Sequence, residues 1–355
     1  MDLLYNYFKK NCNVKVYTSD YRHFEKVYRT DDKQDFKFIH AISYNKNMSV
    51  SRLYSHMKFS KDVLKEIDKE EYDLLWVLVP PNSLVQQMAK YKKKNRGTKL
   101  VFDLIDLWPE TMPISISKSL LPFKLWENMR NNHLDVADAI VTECDLYKER
   151  IPANIKDEKI RTIYLAREVK PYNQKIDLAE DEISLCYLGS INNIIDIPSI
   201  AGLIRRLSNY RKVQLHIVGD GENRENLIEN AKNAGATVIY HGKIYEEEKK
   251  QEISTQCHYG LNIMKKSVFV GLTMKSMDYF EAGLPIINNI HGDTWEIIEK
   301  EKLGVNLNKS IDYKTIIQYE IDMRDRVRAF FEAEFGVSSF ENKLDECLKY
   351  LRKGM

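Results

Sequence analysis

The chain has 355 residues, 43% of them hydrophobic, and its 54 Lys plus Arg against 52 Asp plus Glu leave a net charge of +2. That length exceeds what one compact core usually holds, and the balanced charge gives no global reason to expect nucleic acid or an acidic partner. The five cysteines (Cys12, Cys144, Cys186, Cys257, Cys347) are widely spaced, with no CxxC pair and no His cluster at zinc spacing, which favours reduced thiols in a cytosolic setting over disulfides or a structural metal.

In chain order, "MDLLYNYFKKNCN" is amphipathic and charged early, so a helix over 2–10 is expected and not a signal peptide. Short runs at 13–20, 36–42, 73–80, 99–106, 138–144 and 159–165 read as strands, several apolar on both faces as buried parallel strands are. Helical patterns fill 50–68, 82–95 and 121–136. Strands alternating with helices predict a doubly wound α/β layout. No apolar run reaches the 18 or more residues that crossing a bilayer requires, so any membrane contact is expected to be peripheral.

After Leu165, "AREVKPYNQKIDLAEDE" is polar and without periodicity and reads as a linker. A second series follows: strands at 183–190, 213–221, 237–242, 259–264, 285–290 and 304–308, with helices at 197–208, 222–234 and 246–255. The expected organisation is an N-terminal Rossmann-like domain (1–168), a linker (169–182), a second Rossmann-like domain (183–325), and C-terminal helices (326–355) packing back toward the first domain. Ligands of open parallel sheets sit outside the carboxyl ends of the strands. Two such sheets would therefore face each other across a ligand cleft.

Two surface features carry charge or apolar side chains. The run "KYKKKNRGTK" (90–99) reads as a solvated helix end, with an anionic membrane surface as the alternative. "MPISISKSLLPFKLWENMR" (112–130) mixes Ile, Leu, Phe and Trp with Lys and Arg, and the sequence leaves open an interfacial segment or core packing.

Three stretches have the residue types that anion chemistry needs. "YLGS" ends a strand with Gly189 and Ser190, and "IVGDGE" ends the next with Gly219 and Gly221. Glycine lets a backbone approach a ligand and lets N–H groups converge on an anion, although a plain turn glycine is the simpler reading of either alone. The third is "VFVGLTMKSMDYFEAGLPIIN" (268–288). Thr273 can cap a helix whose N-terminus attracts anions. Lys275 and Asp278 lie three apart on one face, offering a cation to a diphosphate and a carboxylate to a ribose diol. Met274, Met277 and Phe280 are expected on the buried side, and Gly283 with Pro285 should end the helix.

The order YLGS, VGDGE, HG, KSMDYFEAGLPIIN resembles the nucleotide-binding half of glycosyltransferase family 4, retaining enzymes of the GT-B fold. "FDLIDLWPE" (102–110) and "ADAIVTEC" (137–144) look like the acceptor half of its bacterial capsule and exopolysaccharide members. The resemblance implies that Gly189 and Ser190 lie against the diphosphate, Lys275 near the phosphates and Asp278 on the ribose hydroxyls. Gly219 and Gly221 would shape the nucleotide pocket, Gly242, Lys243 and Ile244 would read the base, and Gly271, Leu272 and Thr273 would face the donor sugar and phosphate. Asp106 is the candidate for orienting acceptor or donor sugar, or else it caps the loop before Trp108; Glu110 is the weaker choice. It also implies a UDP-sugar donor with no metal, a saccharide or undecaprenyl-linked acceptor, and a cytoplasmic protein touching the inner membrane face.

The departures are specific. Val270 replaces the first glutamate of the Glu-x7-Glu motif, Ile105 replaces a histidine, and "INNIID" replaces the Arg and Lys usual after the YLGS-type glycine. The family's first strand and its glycine-rich loop do not precede 2–10. They keep alive a second expectation, a non-catalytic transferase-like partner that binds nucleotide or a companion enzyme. A dinucleotide oxidoreductase is disfavoured because no G-x-G-x-x-G opens a helix after the first strand of either half.

Overall fold

The computed structural model describes residues 2–23, 25–46, 49–112, 118–171, 175–179, 181–308 and 310–353. Parts of the expected linker and of the 112–130 stretch lie outside the described residues. The chain falls into two compact units, one formed by Met1–Glu143, Tyr147–Leu165 and Glu341–Met355, the other by Cys144–Leu146 and Ala166–Phe340.

The first unit carries α1 (Asp2–Lys9), β1 (Val16–Ser19), β2 (Tyr21–Arg22), β3 (Val27–Tyr28), β4 (Phe36–Ile39), α2 (Val50–Ile67), β5 (Leu74–Val79), α3 (Asn82–Lys94), β6 (Lys99–Leu104), α4 (Leu121–Asn131), β7 (Ala139–Thr142) and β8 (Ile160–Thr162). Strands β5-β6-β7-β8 make one parallel sheet. Its central strands are the apolar ones: Leu100, Val101, Phe102, Ala139 and Ile140 are fully buried. β1 and β4 form a separate parallel pair, and β2 with β3 a small antiparallel hairpin. Among the described residues no strand joins β1 to β5. Side chains bridge the gap instead: Tyr5 of α1 packs on Phe36 at 5.2 Å, Phe8 on Trp76 at 5.6 Å, and the Tyr17 and Tyr72 hydroxyls meet at 2.6 Å.

Helix α4 is shorter than the 121–136 pattern predicts, ending at Asn131 with a separate tight turn over Leu134–Val136. Consecutive asparagines at 131 and 132 are weak helix formers, which places the break there. Leu120, Leu121 and Leu125 are 50%, 71% and 59% exposed, so this stretch does present apolar side chains to solvent. The basic run closes α3 as the simpler reading has it: Lys92 bonds Asp138 at 2.8 Å and Lys94 bonds Asp68 at 3.0 Å.

The second unit contains β9 (Glu182–Leu188), α5 (Ile197–Leu207), β10 (Lys212–Val218), α6 (Arg224–Asn233), β11 (Ala236–Gly242), α7 (Glu247–Thr255), β12 (Tyr259–Asn262), α8 (Met274–Glu281), β13 (Ile286–Asn288), α9 (Asp293–Glu301), β14 (Gly304–Asn306), α10 (Lys314–Ile317) and α11 (Met323–Phe335). The last helix, α12 (Val337–Lys353), begins here and ends in the first unit. All six strands are parallel, in the order β11-β10-β9-β12-β13-β14. This is the doubly wound order, in which the winding reverses between the first and fourth strands, here β9 and β12. The core is the buried side of that sheet with α5 and α6, around Leu185, Ile200, Ile204, Leu215 and Leu261.

Candidate functional site

A cavity of 250 Å³ opens at the carboxyl ends of β9 and β12, where the winding reverses. Tyr187, Leu188, Gly189 and Ser190 from the end of β9, Met264 from beyond β12, and Thr273, Met274, Lys275 and Asp278 from α8 line it, with Asn192, Ile194 and Ile195 along one side. Five of the residues singled out from the sequence are thus brought together: Gly189, Ser190, Thr273, Lys275 and Asp278.

Local sequence explains why α8 starts here. Thr273 is its N-cap in extended conformation, and its Oγ1 accepts the Ser276 N–H at 2.9 Å. The same hydroxyl donates to Asn262 Oδ1 at 3.2 Å, while the Asn262 amide donates to Ser276 Oγ and to Asn288 Oδ1, both at 3.0 Å. This buried polar network ties the helix start to β12 and β13. Further along, the Tyr279 hydroxyl accepts the Leu188 N–H at 2.9 Å and donates to Cys186 O at 3.0 Å, pinning α8 to β9. Gly260 makes room, because a Cβ there would lie 2.6 Å from the Tyr279 ring. The first residues of the helix thus line the cavity, and a helix N-terminus carries unpaired main-chain N–H groups that suit an anion.

Lys275 is 8% exposed, and its Nζ is buried without a hydrogen-bond partner among the described residues. It sits 3.9 Å from the centre of the Tyr187 ring. Burial lowers its pKa to about 7, against the pull of Cys186 and Asp278. The Tyr187 hydroxyl donates to Ser190 O at 2.9 Å, bracing the turn that Gly189 makes at φ +113. Asp278 is not free: its Oδ1 lies 2.6 Å from Arg167 Nη1, which also holds Glu281 Oε2 at 2.6 Å. Burial raises the Asp278 carboxyl and Arg167 opposes that rise. Met274, expected on the buried side of α8, is 52% exposed, whereas Met277 and Phe280 are buried. The helix turns Met274 toward the cavity mouth because Thr273 and Ser276 take the inward positions.

The other candidate residues stand outside the cavity lining. Gly219 and Gly221 serve close packing: a Cβ on Gly219 would fall 2.0 Å from Gly189 O, and one on Gly221 2.3 Å from Ile191 O. They set the β10 turn against the β9 turn. Gly242, at φ +73, accepts the Gly219 N–H at 2.7 Å; Lys243 is exposed, 3.8 Å from Asp220, and Ile244 is half-buried beside it. Gly271 packs on Asp293, whose Oδ2 a Cβ would meet at 2.2 Å, and Leu272 is half-buried next to it. In the first unit, Asp106 accepts a hydrogen bond from the Thr111 hydroxyl, the loop-capping alternative. Glu110 forms an ion pair with fully buried Arg130, at 2.6 Å. Sequence reasoning did not find Tyr187 and Arg167: a tyrosine inside an apolar strand reads as core, and Arg167 lies in an aperiodic stretch far from its partners.

Among the described residues, no three or more His, Cys, Asp or Glu are grouped to hold a metal ion, and no helix is long and apolar enough to cross a membrane.

Residues 183–317 match the family model described as "Glycosyl transferases group 1". No curated protein matches the sequence. Among solved structures, sucrose-phosphate synthase from Thermosynechococcus elongatus is similar with TM-score 0.68 and 12% identity, covering 100% of this chain and 92% of that one. The lipopolysaccharide outer core galactosyltransferase WaaB, apo form, has TM-score 0.61 and 17% identity over 89% of this chain and 84% of that one. Anabaena Alr3699/HepE in complex with UDP-glucose has TM-score 0.58 and 14% identity over 88% and 85%. At such identities the likeness establishes the fold, the GT-B architecture of two Rossmann-like domains.

Proposed function

We propose that this chain is a nucleotide-sugar-dependent glycosyltransferase whose donor diphosphate lies in the cavity at the β9–β12 reversal. The observation that carries this is the convergence there of the Gly189–Ser190 turn, the α8 N-terminus and Lys275, within the segment that matches the group 1 model. The Anabaena neighbour's complex with UDP-glucose favours a UDP-sugar donor. In this reading the C1–O bond to the diphosphate breaks as an acceptor hydroxyl forms the new C1–O bond on the same face, and the acceptor proton passes to the leaving phosphate oxygen. Negative charge grows on that phosphate, where main-chain N–H groups, the helix terminus and an ammonium stabilise it without a metal. The acceptor is a saccharide, lipid-linked in the fullest version. With it go retention and a role in surface polysaccharide synthesis at the inner membrane face.

A thermal-shift series with UDP-, GDP- and dTDP-sugars should show stabilisation by one donor class, since a ligand that binds only the folded state raises apparent stability. Lys275→Ala should keep the fold and lose transfer on the order of 10²-fold, the usual scale for one removed charge-stabilising group. Unchanged turnover in that variant would sink the assignment. One observation favours a second reading, a nucleotide-binding but inactive partner: Arg167 already occupies the carboxylate expected to hold the ribose. Release of nucleoside diphosphate from the donor by purified protein decides between them.

A further inference from the structure

Lys275 and Asp278 are one turn apart on α8, the spacing at which a Lys–Asp pair forms on a helix. That pair is not made. Arg167 Nη1 bridges Asp278 and Glu281, 2.6 Å from each, and its own backbone N–H is held by Phe335 O at 2.9 Å. Lys275 Nζ is left at the cavity floor, buried and without an acceptor among the described residues.

We propose that Arg167 reserves Lys275 for the donor: by holding Asp278 it leaves Nζ in the cavity wall with no acceptor among the described residues, and a diphosphate that binds there supplies the missing counter-charge and draws a proton from solvent onto Nζ. This rests on the donor reading above and adds how the charge of that site is set.

The groups around Nζ are few. The Tyr187 ring attracts a cation but accepts its protons poorly compared with an oxygen. Cys186 on β9 and Asp278 on α8 both favour the ammonium form, and burial outweighs them. The Tyr279 hydroxyl is committed to Leu188 and Cys186. Gly189 has no side chain to offer, and a Cβ there would lie 3.6 Å from the lysine's Cε. A buried ammonium without a counter-charge is costly, and the amine loses its proton instead. A diphosphate supplies the missing negative charge and reverses this. The proton comes from buffer, so binding is written amine plus hydronium plus diphosphate, giving the ammonium–diphosphate pair and water.

With a midpoint of about 7 in the free protein, donor binding should take up roughly half a proton at pH 7 and nearly one at pH 8. UDP-glucose is the probe, because both of its phosphates are esterified and do not titrate in this range. Its Kd should rise close to tenfold from pH 7.5 to 8.5.

Two measurements test this. Lysine-labelled nitrogen NMR of the free protein, with Lys275→Met for assignment, should place the Lys275 midpoint near neutrality. Calorimetry with UDP-glucose in buffers of different ionisation heat should count the proton. Arg167→Met frees Asp278 to pair with Lys275, so the midpoint should climb by about two units or more and uptake at pH 8 should vanish; adding Asp278→Asn should restore both. If Arg167→Met does not fold, Asp278→Asn alone decides: with Asp278 held by Arg167 its pull on Lys275 is minor, so the midpoint should fall by less than about one unit, and any larger fall would show Asp278 to be the partner. A wild-type midpoint near that of an exposed lysine, or UDP-glucose binding without uptake, overturns the proposal. Should none of the UDP-, GDP- and dTDP-sugars bind or stabilise the protein, the donor reading fails and takes the uptake with it, while a raised midpoint in Arg167→Met would still show that Arg167 sets the amine's charge.

Discussion

Glu143 follows β7 in the first unit, and burial, with Asp106 and Asp103 adding their charges, pushes its carboxyl up to about 8. A raised acid binds more protons folded than unfolded, so its contribution is fully present below the unfolded value of about 4.3 and is lost as pH rises through 8. Glu143→Gln removes that dependence: thermal unfolding should show the variant's advantage over wild type large at pH 8, smaller at pH 5 and gone below about pH 4. Glu110 holds a buried charge in place. It neutralises Arg130, whose side chain is 0% exposed and also donates to Trp108 O at 2.8 Å. Glu110→Ala strands that charge and should cost about 3–5 kcal/mol, read as a lowered melting temperature. What could be seen of single residues in the sequence followed local spacing: Lys275 and Asp278 were found because they lie three apart on one helix face, and Thr273 because a threonine ahead of that run reads as a cap. Arg167 was hidden because pairing across the fold leaves no local mark.

Along the elements, the six strands of the second unit were legible in order and start within one residue, because short apolar runs between helical patterns read as strands, but five of the six ends overran by two or three residues into the loops at the carboxyl edge. The β2–β3 hairpin was not, being two residues on each side. Helix α9 was also missed; it begins after Gly292 at φ +97, in a His-Gly-Asp stretch that reads as a turn. The glycine-bearing turns were found, but what each glycine does was not. Gly189 belongs to the cavity wall, whereas Gly219 permits contact with Gly189 and acts on the ligand only through it. Gly219→Ala at φ +141 should therefore cost on the order of 1–3 kcal/mol and also weaken UDP-glucose binding, with calorimetry and thermal unfolding separating the two effects.

For the molecule as a whole, alternation of strands and helices was enough to anticipate two Rossmann-like units, because local periodicity and chain order dictate that layout. Which strand neighbours which was not legible, and that order is what places the cavity at the β9–β12 reversal. The first unit's interrupted sheet was legible only as a departure from the resemblance. Its β1–β4 pair shares no main-chain bond with β5 among the described residues; α1 spans the gap through Tyr5 on Phe36 and Phe8 on Trp76, Tyr17 meets Tyr72, and Lys15 and Lys37 pair with Glu70 and Glu66. The seam therefore leaves one flank of β5 without a main-chain partner among the described residues, an edge of the kind a foreign strand can extend.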